Sequence, residues 1–147
     1  MNKRTRPSWD QWALDMATAA MERSEDAYYQ VGAFALNHNN STAASGYNGT
    51  APGVEIDWSD RDQRRDLMIH AEVNCLNYVL PGQCRLIAVT TLPCPSCMAL
   101  IAAKKIPKVI FEHIYKTDPT AEQRTRRMAE IFNIELLQLQ STKKVSP

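Results

Sequence analysis

Little in this sequence is in excess. Basic and acidic side chains nearly cancel, 17 against 16, for a net charge of +1. That balance excludes a protein built to coat a polyanion, which carries a basic excess or a basic stripe. No apolar run approaches the ~18 residues of a membrane-spanning helix, so no membrane partner is expected. Five glycines and eight prolines exclude collagen-like and Pro/Gly-rich disordered chains. No internal repeat or low-complexity tract interrupts the pattern. Met1 to Pro7 is basic, but no apolar segment follows it. A secretory leader is therefore not expected, and a reducing, cytoplasmic location is. In that compartment the four cysteines do not imply a disulfide framework.

What is present suits one enclosed core. At 147 residues and 44% apolar, the chain predicts a single domain over 1–147, its core at about 8–140 and its short tails frayed. Ser8-Trp9-Asp10-Gln11 is a capping-box pattern. After it Trp9, Trp12, Ala13, Met16, Ala17 and Ala20 recur at helical spacing to about Arg23. Tyr28 to Leu36 and Ser41 to Tyr47 read as a hairpin around the turn-like Asn37 to Asn40. Gly46 to Asp66 reads as a long loop, of the kind that usually carries function. His70 to Val79 predicts a short helix stopped by Pro81-Gly82, and Arg85 to Thr91 a strand. Pro95 suits the first position of a helix reaching about Lys105. A strand in Ile106 to His113, a helix over Pro119 to Phe132 and a strand over Ile134 to Leu139 complete the order, with a frayed tail after Gln140. Strands alternating with helices favour parallel neighbours joined by right-handed crossovers. The expected fold is a three-layer α/β/α sandwich with a mixed five-stranded sheet.

The chemistry concentrates in His70-Ala71-Glu72 and Pro93-Cys94-Pro95-Ser96-Cys97. One imidazole and two thiolates fill three of the four positions that zinc prefers, and the opening left for water marks a catalytic rather than a structural site. His70 begins one predicted helix and Cys94 another, and helix N-termini favour anionic thiolates. Glu72 is a hard oxygen donor beside two soft thiolates, so it is cast as proton shuttle rather than fourth ligand. Taken alone, the C-x-x-C is also a thioredoxin-like pair, and the H-x-E is also a solvated helix face. Their combination is the H-x-E…P-C-x-x-C signature of zinc-dependent nucleobase deaminases. Cys75 and Cys84 lie outside it and read as small buried hydrophobes.

With these residues in view the chain resembles the deoxycytidylate (dCMP) deaminases of the cytidine deaminase-like fold. The resemblance runs over about residues 8–140. It includes Arg23-Ser24-Glu25-Asp26, Gln30-Val31-Gly32-Ala33, Gly46-Tyr47-Asn48-Gly49, His70 to Asn74, and Lys108-Val109-Ile110-Phe111 followed by Tyr115. The zinc motif marks only the superfamily, whereas the G-Y-N-G and Q-V-G-A segments mark the dCMP branch. The resemblance implies His70, Cys94 and Cys97 as ligands of one catalytic zinc per chain, and Glu72 as general acid/base. It implies that Asn48 hydrogen-bonds the nucleotide; as a bare sequence, Asn48-Gly49 is also a hairpin turn. It implies that Arg23 and Ser24 meet the 5′-phosphate, that backbone groups near Ala71 and Leu92 grip the pyrimidine edge, and that Tyr115 closes over the nucleotide. Read without the resemblance, Arg23 and Ser24 are the polar end of the first helix and Tyr115 an edge-of-core tyrosine.

The implied reaction is hydrolytic deamination of dCMP to dUMP, which feeds thymidylate synthesis, in a cytoplasmic homohexamer. The chain departs from the family after G-Y-N-G-T, where Ala51 precedes Pro52-Gly53 and Val54 stands where many relatives have cysteine. With only His38, His70 and His113 as histidines, a second structural zinc is not expected. The altered loop belongs to the family's effector region, so weak or absent control by dCTP and dTTP, and by the Mg²⁺ that accompanies such an effector, is expected. Three alternatives keep the zinc motif. One is a polynucleotide (tRNA or single-stranded DNA) base deaminase drawing on Lys104, Lys105, Lys108, Arg124, Arg126 and Arg127. Another is a free cytidine/deoxycytidine or pterin/riboflavin-type deaminase, and the third a zinc-stabilised binding module. The near-neutral charge argues against a nucleic-acid partner, and the retained Glu72 against a merely structural zinc.

Overall fold

The computed structural model describes residues 2–116 and 118–143. Helix α1 (Trp9–Met21) starts where Ser8 Oγ accepts the backbone N–H of Gln11 at 3.1 Å. The hairpin β1 (Gly32–Asn37) and β2 (Thr42–Tyr47) follows, then α2 (Arg61–Leu67) and α3 (Ala71–Leu76). Strand β3 (Cys84–Thr91), α4 (Pro95–Ala103), β4 (Lys108–His113), α5 (Ala121–Phe132) and β5 (Glu135–Gln138) close the chain. The sheet order is β2-β1-β3-β4-β5. β1 is antiparallel to both neighbours, while β3, β4 and β5 run parallel. The crossover from β2 therefore passes β1 and delivers β3 on its far side. The expected three layers and mixed five-stranded sheet are present.

Alternation along the strands divides the core in two. Phe34, Leu36, Leu86, Ala88 and Ile110 face α1, whose Ala13, Leu14 and Ala17 are fully buried. Ala33, Ala35, Ile87, Val89 and Val109 face the other way, against Ala71, Cys75 and Leu76 of α3, Met98 and Ile101 of α4, and Ala129 of α5. Cys75 and Cys84 are both buried, as small hydrophobes. Two glycines let helices lie directly on backbone. A Cβ at Gly32 would stand 1.9 Å from the Ala17 carbonyl oxygen of α1, and one at Gly46 2.5 Å from the Cys75 nitrogen of α3.

Three expectations are corrected. The loop after Gly46 contains a helix, α2, capped by Asp60, whose carboxylate accepts the N–H groups of Asp62 and Gln63. It buries no residue and so has no apolar stripe for periodicity to reveal. The strand expected from Tyr28 begins only at Gly32, because the Asp26 carboxylate takes the backbone N–H groups of Tyr28 and Tyr29 into a turn. The chain after Gln140 is not loose where it is described. Asp15, 5% exposed on α1, accepts the hydroxyl of Ser141 and both the backbone N–H and hydroxyl of Thr142. Residues 144–147 lie outside the described part. Among the described residues no helix is long and apolar enough to cross a membrane.

Candidate active site

The site lies at the carboxyl ends of the parallel strands, where α/β sheets place their ligands. His70 is the N-cap of α3 and Cys94 the N-cap of α4, with Pro95 in the first turn. Each residue is extended, so its side chain projects ahead of its helix. The two helix starts are fixed from several sides. Gly46 admits α3 onto β2, and Asn74 Nδ2 donates to the Tyr47 carbonyl at 2.8 Å. Gly49 and Ile69 form an isolated antiparallel bridge that holds the G-Y-N-G turn beside His70. On the other side the buried Thr125 hydroxyl of α5 donates to the Pro93 carbonyl at 2.8 Å.

His70 Nδ1 stands 3.3 Å from Cys97 Sγ and 3.6 Å from Cys94 Sγ, and all three donor atoms lie within 4.8 Å of one another. A tetrahedral zinc with Zn–S of about 2.3 Å and Zn–N of about 2.0–2.1 Å needs N···S edges of about 3.6 Å. The donor set and its spacing therefore fit zinc. The cluster contains no fourth protein donor among the described residues, and Glu72 is not part of it. The proton affinities are those of a compact charged cluster. The Cys94 thiol is lowered to about 3, chiefly by its hydrogen bond with Cys97 and then by His70. The Cys97 thiol is raised, chiefly by the same bond. His70 is raised by its hydrogen bond to Cys94. Burial raises the proton affinity of the Glu72 carboxyl, which is 4% exposed, above its ordinary value.

A cavity of about 310 Å³ opens over these groups, within the range of small-molecule sites. His70, Ala71, Glu72, Cys94, Asn48 and Tyr115 all line it. Asn48, 6% exposed, is mostly committed to its own chain. Its Oδ1 accepts the Val31 N–H and its Nδ2 donates to the Tyr29 carbonyl, both at 2.8 Å. One amide hydrogen and one lone pair remain for a ligand. Arg23 and Ser24 are not in the lining. Ser24 Oγ donates to the Asn48 carbonyl at 2.9 Å. Arg23 sits over the Tyr47 ring at 6.0 Å and faces a second cavity of about 190 Å³, which Ala51, Pro52 and Val54 share. Leu92 also lines the cavity, its N–H committed to the His113 carbonyl at 2.8 Å.

Sequence reasoning missed Asp26, Tyr29, Met68, Thr91 and Glu122 in the lining. Asp26 stood inside a quoted motif, but nothing local says which way its carboxylate points. Tyr29 packs edge-on against Tyr115, centroids 5.2 Å apart, a pairing across most of the chain that spacing does not disclose. Several of the basic residues considered for a polynucleotide are engaged. Lys108 pairs with Asp10 and Glu135, Arg124 with Asp118, Arg126 with Glu122, and Lys104 donates to the Val79 carbonyl.

Comparison with known proteins agrees with this geometry. The family described as "Cytidine and deoxycytidylate deaminase zinc-binding region" matches residues 7–113. A deoxycytidylate deaminase of Mycobacterium phage D29 is 34% identical over 128 residues, 73% of this chain and 96% of the phage protein. One of Schizosaccharomyces pombe is 29% identical over 148 residues, 92% of this chain but only 45% of the yeast protein. The crystal structure of dCMP deaminase from the cyanophage S-TIM5, in complex with dCMP and dUMP, superimposes with a TM-score of 0.73 at 22% identity, covering 92% of this chain and 100% of that one. That last likeness speaks for the fold. The matched region contains both helix starts and all three of the clustered donors, and the phage relative is covered almost end to end: this chain belongs to the deoxycytidylate deaminase family.

Proposed function

We propose that this protein, acting as one domain, hydrolyses dCMP to dUMP and ammonia. The observation that carries the reading is that one cavity is lined by His70 and Cys94 of a zinc-fitting His/Cys/Cys cluster and, beside them, by a buried carboxyl outside that cluster. The deoxycytidylate deaminase relatives supply the substrate. His70, Cys94 and Cys97 hold the metal. Zinc bound there supplies Lewis acidity and renders water acidic near neutral pH. Glu72 accepts a proton from the attacking water and passes it to ring N3. After attack at C4 the same carboxyl takes the remaining hydroxyl proton from the new C4 oxygen and delivers it to the amine, so that the C4 carbonyl forms as the C4–N bond breaks and ammonia leaves. Burial suits Glu72 to this traffic, because a raised proton affinity brings a carboxyl toward the operating pH. The Ala71 N–H, free in the first turn of α3, and the Leu92 carbonyl bracket the base. Asn48 offers its remaining amide hydrogen to the sugar, Ser24 holds Asn48 from behind, and Tyr115 closes the mouth with Tyr29.

The lining contains Asp26, Glu72 and Glu122 but neither Lys nor Arg. The cavity therefore takes the base and sugar, and the 5′-phosphate extends past its mouth, with Arg23 the cation proposed for it from beyond Asn48. The same lining also admits an uncharged nucleoside. Incubating the protein with dCMP, CMP, deoxycytidine, dCTP and a cytosine-containing oligonucleotide, and measuring ammonia, separates these substrates. A much larger kcat/KM for dCMP than for deoxycytidine is expected, and equal values would transfer the activity to the nucleoside.

Assembly as a cytoplasmic homohexamer belongs to the same proposal. It is supported by large apolar side chains left on the surface, Tyr78 at 77%, Leu80 at 72% and Ile131 at 69% exposure. Light scattering measures it. Weak or absent control by dCTP and dTTP is proposed from the Ala51 to Val54 departure. A dCMP saturation curve recorded with each triphosphate and Mg²⁺ should be hyperbolic and unchanged.

A further inference from the structure

Among the described residues, one buried side-chain polar atom has no hydrogen-bond partner: Thr91 Oγ1. Buried hydroxyls are nearly always paired, and leaving one unpaired has a free-energy cost. Thr91 is the last residue of β3 and lines the same cavity as His70, Glu72 and Cys94. Strand alternation puts it on the face of Ile87 and Val89, which pack toward α3 and α4. Its neighbour Thr90, on the opposite face, is satisfied by accepting the Gly32 N–H at 3.1 Å. Other polar groups of the lining are occupied too: Asn48 with Tyr29 and Val31, Asp26 with Tyr28 and Tyr29, Glu122 with Arg126.

We propose that Thr91 contacts the substrate and helps determine its specificity, its hydroxyl hydrogen-bonding the polar edge of a pyrimidine ring seated in the cavity. This rests on the reading of the site as a cytosine-nucleotide deaminase. A hydroxyl suits the task because it both donates and accepts. Deamination replaces an amino donor at C4 with a carbonyl acceptor, and turns N3 from acceptor to donor. A group able to rotate its proton serves substrate and product edges alike, where a fixed donor or acceptor would serve only one. A ring without those edges leaves the hydroxyl unpaired, which is how a polar site discriminates.

The test compares Thr91→Val, which keeps the shape and removes the hydroxyl, with Thr91→Ser, which keeps it. Removing an unpaired hydroxyl should leave the unfolding temperature of the ligand-free, zinc-loaded protein unchanged or raise it. The same variant should lose about tenfold in kcat/KM for dCMP, the order expected for one missing hydrogen bond. It should also show a smaller upward shift of unfolding temperature with dUMP. Thr91→Ser should return both readouts to within a few-fold of wild type. Wild-type kcat/KM and wild-type dUMP stabilisation in Thr91→Val would overturn the proposal. So would a drop in its ligand-free unfolding temperature, which assigns the hydroxyl a structural role. A wild-type protein that neither turns over dCMP nor responds to dUMP fails the reading of the site itself, before any variant is compared, and takes this assignment with it.

Discussion

Replacing Glu72 with glutamine keeps the side chain's size and removes its capacity to carry a proton. Because Glu72 is not among the clustered donor atoms, Glu72→Gln should keep about one zinc per chain by metal analysis. Turnover should fall by ~10²–10⁴-fold, the usual scale for a lost proton shuttle; a metal-free Glu72→Gln protein would make Glu72 a ligand. His70→Ala and Cys97→Ala should behave oppositely, losing metal and unfolding temperature together, since metal-binding energy is also folding energy. Chelation of the wild-type protein should reproduce that drop, and added zinc should reverse it.

At the scale of elements, the position of α3 depends on bare backbone. Its Cys75 nitrogen and Ala71 carbonyl would lie 2.5 and 2.6 Å from a Cβ at Gly46. Neither backbone group is free to swing aside, so Gly46→Ala must lift the helix that carries His70 and Glu72. The expected result is a destabilisation of about 1–3 kcal/mol, the range for overpacking, with weakened zinc retention. Chemical denaturation and metal analysis read the two effects, and Gly46→Ala with unchanged zinc affinity would show that α3 tolerates the shift. Helix α2 depends on side chains instead. The Arg64 guanidinium lies 4.2 Å from the centre of the Tyr28 ring and donates to the Trp58 carbonyl at 2.8 Å. That clamp ties an otherwise unburied helix to the segment bearing Asp26 and Tyr29. Arg64→Ala should raise KM for dCMP by a few-fold with kcat nearly unchanged, because the clamp holds the cavity wall and touches no reacting atom.

Across the whole molecule, the C-terminal segment is latched to α1 through Asp15. Burial pushes its carboxyl up, but the Thr142 hydroxyl and N–H, the Gln11 amide and the Ser141 hydroxyl outweigh that, and the net shift is below the ordinary 3.8. A depressed carboxyl stabilises the fold above its unfolded value, and the gain fades as pH falls through the folded one. Unfolding temperature should therefore decline below about pH 4, and Asp15→Asn should lower it near neutral pH while flattening the acid decline. An unchanged acid limb in Asp15→Asn would show that other carboxyls govern it.

Much of this protein was legible before folding was considered. Periodicity, together with cap, turn and proline signals, located nine of the elements, because each carries an apolar face or run or ends at a recognisable stop. H-A-E and P-C-P-S-C declared their chemistry because donor softness and the need for an open coordination position are properties of residue types. The exceptions have physical causes. Helix α2 is held by a cap and a cation–π contact rather than by burial, so no hydrophobic signal marks it. Arg23 and Ser24, beside a cavity-lining residue, Asp26, in the sequence, stand behind Asn48 because the chain turns at Asp26. Only the tertiary structure brought Tyr29 to Tyr115, Thr125 to Pro93 and Asp15 to Thr142. It alone left the Thr91 hydroxyl buried and unpaired. Residue type and local spacing determined which groups do chemistry; the packing of helices on two faces of one sheet decided which of them share a cavity, because that depends on distances no local pattern encodes.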